Sequence, residues 1–160
     1  MRIRRYVASD AAPLAALYRR SVEQIGARDY APQQVEAWAA CTPTPERIHE
    51  RATDGRTTLV AVDGDRPLGF IDLERDGHID FFYCAPEAAG QGVAAALYDA
   101  LEVLARQRGV TRLYAEASEA ARRFFLKKGF VVTARREFAL RGVPIHNHAV
   151  EKVLARHGVA

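Results

Sequence analysis

The chain has 160 residues, 49% hydrophobic and 27% charged, with a formal net charge of +3. That size and balance predict one domain, residues 1–160, able to bury about two-thirds of its surface. Its basic residues fall as scattered pairs such as Arg4-Arg5, Arg122-Arg123 and Lys127-Lys128 without interleaved aromatics, so no nucleic-acid partner is expected. No apolar run approaches the roughly 20 residues that span a bilayer, so no membrane partner is expected either. Two cysteines without CxxC spacing, Cys41 and Cys84, and the lack of a secretory signal point to a reducing, cytoplasmic setting.

In chain order, Arg2 to Val7 has the β-branched and aromatic character of a strand. Ser9-Asp10 offers a helix N-cap before Leu14, Leu17, Tyr18, Val22 and Ile25, which recur at helical spacing. A second helix is predicted over Gln33 to Ala40. A third starts at Thr44-Pro45-Glu46 and runs towards Ala52, with Thr44 as cap and Pro45 at the first position. Three strands follow, Thr57 to Val62, Leu68 to Leu73 and His78 to Cys84, joined by turns at Asp63-Gly64 and Asp76-Gly77 that suit an antiparallel meander. Val93, Leu97, Leu101 and Leu104 mark an amphipathic helix ending near Gly109; Arg112 to Glu116 reads as a strand. A short helix from Ser118 stops at Gly129, and two strands, Val131 to Leu140 and Val143 to Leu154, flank a turn at Arg141-Gly142. The sum is an α/β fold of the α+β type: a mixed, mostly antiparallel sheet with flanking helices and one β-α-β crossover. That crossover sets the Cys84 and Arg112 strands side by side and parallel.

The stretch from Cys84 through Gly90-Gln91-Gly92 to Ala94 runs from a strand through a glycine turn into a helix N-terminus. Such a turn suits an anion: glycines allow close approach, successive N–H groups point outward, and the helix end carries partial positive charge. A pyrophosphate is the natural guest, and an ordinary tight turn is the alternative. Gly90-x-Gly92-x-x-Ala95, with Glu116 downstream, also fits a dinucleotide fingerprint. In that fold the glycines follow the strand at once and further βαβ units come after. Here Ala85 to Ala89 intervene, and one helix and a hairpin complete the chain.

These residues resemble the GCN5-related N-acetyltransferase (GNAT) family over nearly the whole chain. The family's Arg/Gln-x-x-Gly-x-Gly/Ala pattern is matched by Ala89-Gly90-Gln91-Gly92-Val93-Ala94 except at Ala89, a departure that loses a side chain and keeps the backbone cradle. A second signature, Asn-x-x-Ala-x-x-Phe-Tyr-x-Lys-x-Gly-Phe, is similar to Ser118 through Phe130, with Phe125 at the tyrosine position. The closing run, Arg141-Gly142-Val143-Pro144-Ile145 through Glu151-Lys152, is similar to the hairpin of many bacterial members.

The resemblance implies an enzyme that moves an acetyl group from acetyl-CoA, its cosubstrate, to a primary amine of a small molecule or peptide. It also implies a V-shaped opening between the Cys84 and Arg112 strands. The pantetheine arm would lie along Phe82, Tyr83 and Cys84, the pyrophosphate on residues 89–94, and Ser118, Phe125 and Lys128 would complete the donor site. N–H groups near Phe82 and Tyr83 would polarise the thioester. A protein that keeps the fold to sense acyl-CoA or a nucleotide without catalysis is the alternative function.

An alkyl amine of pKa about 10.4 is almost wholly protonated at neutral pH, so a base is needed. Asp80, four residues before Cys84, is the expected base, working through water; the alternative is that it only caps a strand or pairs with an arginine. His78, on the same strand face, and Glu116, at the end of the partner strand, are reserves. The leaving thiolate is a smaller demand. With Phe125 where many members have tyrosine, Ser118 or Tyr83 is the candidate acid. Tyr30, Trp38, His78, Glu116 and His146 are candidate acceptor-site residues. His146-x-His148 puts two imidazoles on one strand face, but no third ligand stands at a recognisable spacing, so no metal is expected. The exposed final hairpin could pair with a second copy to give a homodimer.

Overall fold

A computed structural model describes residues 1–155. Among the described residues the seven strands are β1 (Arg2–Arg5), β2 (Thr57–Asp63), β3 (Arg66–Leu73), β4 (Phe82–Cys84), β5 (Arg112–Ala117), β6 (Val131–Leu140) and β7 (Val143–Val153). The five α-helices are α1 (Ala11–Gln24), α2 (Pro32–Ala39), α3 (Pro45–Ala52), α4 (Val93–Gln107) and α5 (Glu119–Lys127). The strands form two antiparallel sheets, ordered β1-β2-β3-β4 and β5-β7-β6.

The first sheet is buried on both faces. Val60, Ala61 and Val62 are each at most 1% exposed although successive strand side chains point opposite ways. α1 and α4 both pack on β3, so the strand reads as a continuous apolar run. Leu14, Leu17, Tyr18 and Val22 are the buried face of α1, and Val93, Leu97, Tyr98 and Leu101 that of α4.

Local chemistry fixes the ends. Thr44 Oγ1 accepts the Arg47 N–H at 3.1 Å with Pro45 opening α3, and Ser118 Oγ accepts the Ala121 N–H at 3.3 Å at the start of α5. The cap expected from Ser9-Asp10 does not form. The Asp10 carboxylate is buried and taken by the Arg4 guanidinium (2.8 and 3.0 Å) and the Val7 N–H (2.9 Å), which folds residues 8–10 into a 3₁₀ turn and ends β1 at Arg5.

The strand predicted from His78 to Cys84 is the main correction, for only its last three residues join the first sheet. The buried Asp72 carboxylate intrudes at the end of β3 and accepts the N–H groups of Asp80 (2.8 Å) and Phe81 (3.0 Å) through Oδ1, bowing the chain outward. The parallel crossover survives at one point: the Ile79 N–H donates to the Tyr114 carbonyl at 2.8 Å and the Tyr114 N–H to the Gly77 carbonyl at 3.1 Å. Gly77 makes this meeting feasible, since a Cβ there would lie 1.9 Å from the Arg112 carbonyl oxygen. Beyond it β4 and β5 do not pair with each other, and the expected mixed sheet is two sheets hinged at His78–Tyr114.

Candidate functional site

The wedge between β4 and β5 has backbone groups to offer. The Ala85 N–H bonds the Leu68 carbonyl and the Phe81 carbonyl accepts from Asp72, so odd-numbered residues from 81 to 85 face β3. By alternation the N–H groups of Phe82 and Cys84 face the gap. On the opposite wall Tyr114 bonds across the hinge, so the Glu116 backbone faces the same gap. Of the two residues expected to supply donors, Phe82 turns its N–H to the gap and Tyr83 turns its own to β3.

Two clefts of similar size open into the wedge, the larger about 670 and the smaller about 630 Å³ counting the open space at their mouths, and share Tyr30, Trp38, Phe82, Tyr83, Ser118 and Ala121 as walls. The smaller reaches Cys84, Ala94 and Phe124, towards the start of α4. There Gly90 and Gly92 both have φ +78°, and no atom lies within 4 Å of where a Cβ would stand. Their N–H groups have no acceptor among the described residues, and the first N–H groups of α4 continue the row. Gln91 folds back, its Nε2 donating to the Glu87 carbonyl at 3.2 Å, while Ala89 is exposed and Val93 buried. Gln91 and Ala89 thus leave the N–H groups uncovered.

Phe125 is buried against Phe130, with ring centroids 4.6 Å apart, and touches the larger cleft. The Lys128 ammonium is held by Asp99 at 2.8 Å. Burial pushes the Cys84 thiol up to about 12. Burial, with Tyr18 beside it, holds the Tyr83 hydroxyl well above the usual tyrosine range, which makes it a weak proton donor to a thiolate. The Ser118 oxygen accepts the Ala121 N–H at 3.3 Å, so its function in the helix cap is structural, with its own O–H left to donate.

The larger cleft is walled by Asp80, Glu116, Phe138, Ile145 and His146 in addition to the shared residues. Asp80 has the arginine partner that stood as its alternative: its Oδ2 is bonded to Arg51 and lies 3.6 Å from Arg56. An amine or a relay water would compete with two guanidiniums for that oxygen. His78 lies at the hinge, bonded through Nδ1 to Glu74 and through Nε2 to Glu116, both at 2.9 Å, so the two reserve bases occupy each other. Burial acts to lower the His78 pKa, but the bonds to Glu74 and Glu116 outweigh it and raise the value above 6.5. Trp38 packs edge-on against Tyr30 at 5.6 Å.

The reasoning against a metal also needs correcting. A third group does accompany the two imidazoles: Glu119 Oε1 lies 2.9 Å from His146 Nε2 and 2.5 Å from His148 Nε2. Two histidines and a carboxylate are a donor set for a divalent transition metal, and the three ligand atoms lie within 4.8 Å of one another. They are nonetheless in direct hydrogen-bond contact, and Arg122 sits 3.2 Å from Glu119 Oε2, placing a positive charge beside the carboxylate. Burial alone would raise the Glu119 pKa; His148, His146 and Arg122 together bring it to about 2. The sequence carries no local sign of this cluster, because Glu119 reads as an ordinary first-turn acid of α5. Arg51 and Arg56, the partners of Asp80, were equally hidden.

The family model of the acetyltransferase (GNAT) domain matches residues 26–152. A GCN5-related N-acetyltransferase from Rhodopseudomonas palustris is 37% identical and superposes with a TM-score of 0.87, covering 96% of this chain and 95% of that one. The uncharacterized N-acetyltransferase YafP of Escherichia coli is 30% identical over 142 residues, 89% of each chain. The peptidyl-lysine N-acetyltransferase YjaB of Salmonella typhimurium is 29% identical over 142 residues, 89% of this chain and 91% of its own. The chain belongs to the GNAT family of acetyltransferases.

Proposed function

We propose that residues 1–160 form one N-acetyltransferase domain that binds acetyl-CoA along the inner edge of β4 and passes its acetyl group to a primary amine entering by the larger cleft. The observation that carries this reading is the row of N–H groups without an acceptor among the described residues, Phe82 and Cys84 in the wedge and Gly90 and Gly92 before α4. The first pair suits an extended pantetheine arm and the second a pyrophosphate. The thioester then rests where the two clefts meet, with the Phe82 or Cys84 N–H polarising its carbonyl.

Glu116 in the larger cleft attracts a cationic amine, Asp80 being engaged by Arg51, and Tyr30, Trp38 and Phe138 take its apolar stem. Deprotonating that amine costs about 4–5 kcal/mol at neutral pH. Expelling the thiolate costs about 2 kcal/mol, so no dedicated acid is required; the Ser118 O–H can hydrogen-bond the departing sulfur. The peptidyl-lysine activity named for YjaB supports including lysine peptides beside small amines as acceptors. No helix among the described residues is long and apolar enough to cross a membrane, which agrees with a cytoplasmic enzyme.

Thermal unfolding with acetyl-CoA, CoA or NAD tests the donor site. Ligand at about 100 times its Kd adds about 2.7 kcal/mol, a rise of about 5–10 °C. Stabilisation by acetyl-CoA and CoA with thiol release on adding amines is expected. Stabilisation without transfer to any amine would identify a sensor, and stabilisation by NAD alone would overturn the reading.

A further inference from the structure

We infer that His146 is the general base of the transfer, acting through Nδ1, and that Glu119 positions it. This rests on the acetyltransferase reading above. A carboxylate oxygen can only accept, so the neutral imidazoles at 2.9 and 2.5 Å from Glu119 Oε1 must each present an Nε2–H to it. That fixes the tautomer of His146 and leaves its Nδ1 with the lone pair. Nδ1 has no hydrogen-bond partner among the described residues and is not fully buried, the side chain being 20% exposed, and His146 lines the larger cleft.

Elimination points the same way. Of the other titratable groups on the cleft walls, Asp80 is bonded to Arg51, Glu116 to His78 and Asp29 to Arg123. The Tyr30 hydroxyl is spent on the His146 carbonyl, and Tyr83 and Cys84 are held protonated by burial.

The imidazole is held on every side. Tyr30 donates to the His146 carbonyl at 2.9 Å and accepts the Glu119 N–H at 3.2 Å, tying β7 to the start of α5. The charged and titratable groups about it are Glu119 and Arg122 from α5, His148 from β7, Tyr30 ahead of α2, Glu116 from β5, and Glu137 and Arg135 opposite on β6. Glu119 remains ionised, and its charge stabilises the imidazolium as it forms, the part a carboxylate plays behind a catalytic histidine elsewhere.

In the step itself the ammonium first releases one proton to solvent; the neutral amine nitrogen then bonds to the thioester carbon, and the carbonyl π pair moves onto oxygen, held by the wedge N–H groups. Nitrogen becomes far more acidic as that bond forms, and its proton passes to His146 Nδ1. The oxyanion collapses, the C–S bond breaks, and the thiolate takes the proton from imidazolium or water. Amide, free thiol and neutral imidazole result.

Two readouts on the full chain test this. In nitrogen NMR of the labelled protein at about pH 8, His146 should carry its proton on Nε2 with a free Nδ1 lone pair, and Glu119→Gln should mix the tautomers. A proton on Nδ1 in the wild type would overturn the assignment. In initial rates with acetyl-CoA and Nα-acetyl-lysine methylamide between about pH 6 and 9, His146→Gln should lower kcat by about 100-fold or more and flatten the acid limb. Glutamine can still donate to Glu119, so acetyl-CoA should stabilise the variant as it does the wild type. Glu119→Gln should lower kcat about tenfold and move the acid limb to lower pH, which a purely structural role would not do. A His146→Gln rate within about threefold of wild type across the range would sink the proposal. If acetyl-CoA does not bind the wild type, it is the acetyltransferase reading that fails, and the tautomer still decides the geometry of the pair.

Discussion

Tyr30 and His146 are joined twice: the Tyr30 hydroxyl donates to the His146 carbonyl at 2.9 Å, and the two rings pack with centroids 5.4 Å apart. Two segments more than a hundred residues apart in sequence are thereby pinned across the mouth of the larger cleft. Tyr30→Phe keeps the ring and removes the hydroxyl, leaving the His146 carbonyl and the Glu119 N–H without it. A loss of about 1–3 kcal/mol follows, seen as a fall of several degrees in Tm, and turnover should fall with it because His146 is less firmly held.

Gly92 separates binding from folding. At φ +78° with nothing within 4 Å of a Cβ, Gly92→Ala should cost only about 1–2 kcal/mol for the left-handed backbone. The added methyl stands where a pyrophosphate would approach, so titration calorimetry should show acetyl-CoA affinity reduced about tenfold or more, a loss of about 1.4 kcal/mol. Undiminished affinity would remove the glycine turn from the donor site.

Asp72 holds the bow that opens the wedge. Its carboxylate is 3% exposed, accepts the Asp80 and Phe81 N–H groups, and pairs with Arg56 at 3.1 Å. Asp72→Ala takes the buried partner from Arg56, which keeps Asp54, and leaves the Asp80 and Phe81 N–H groups without an acceptor, and should cost about 2–5 kcal/mol in denaturant unfolding. Asp54→Ala, which removes the half-exposed partner of the same Arg56, should cost less than about 1 kcal/mol.

His78 gives the hinge a pH dependence. Its pKa lies above 6.5 in the folded chain: burial works against this, but the bonds to Glu74 and Glu116 prevail. A group with a raised folded pKa contributes its full stability below the unfolded value and loses it as pH rises through the folded value. The stability difference between wild type and His78→Gln should therefore be largest near about pH 6 and shrink towards about pH 9. A difference that grows with pH would contradict the pairing.

The start of α3, the first two strands of the meander, the run of α4 and the closing hairpin were legible because they rest on local signals: Thr44 as a cap, the turn at Asp63-Gly64, the spacing of Leu97, Leu101 and Leu104, and Arg141-Gly142, both at positive φ. The glycine turn was legible for the same reason. The bow at Asp80 was not, since it depends on a buried carboxylate eight residues earlier, at Asp72. Nor was the Arg51 partner of Asp80, or the meeting of Glu119 with His146 and His148, residues 27 and 29 positions apart in sequence. Periodicity describes one element at a time; a site assembled from α3, α5, β5 and β7 is set by packing.

The most direct test of the donor site is amide hydrogen exchange of the full chain with and without acetyl-CoA. Protection should rise at Phe82, Cys84, Gly90 and Gly92, whose N–H groups lack a partner among the described residues, and stay unchanged at Tyr83, whose N–H faces β3. Protection elsewhere with those four amides unaltered would contradict the account.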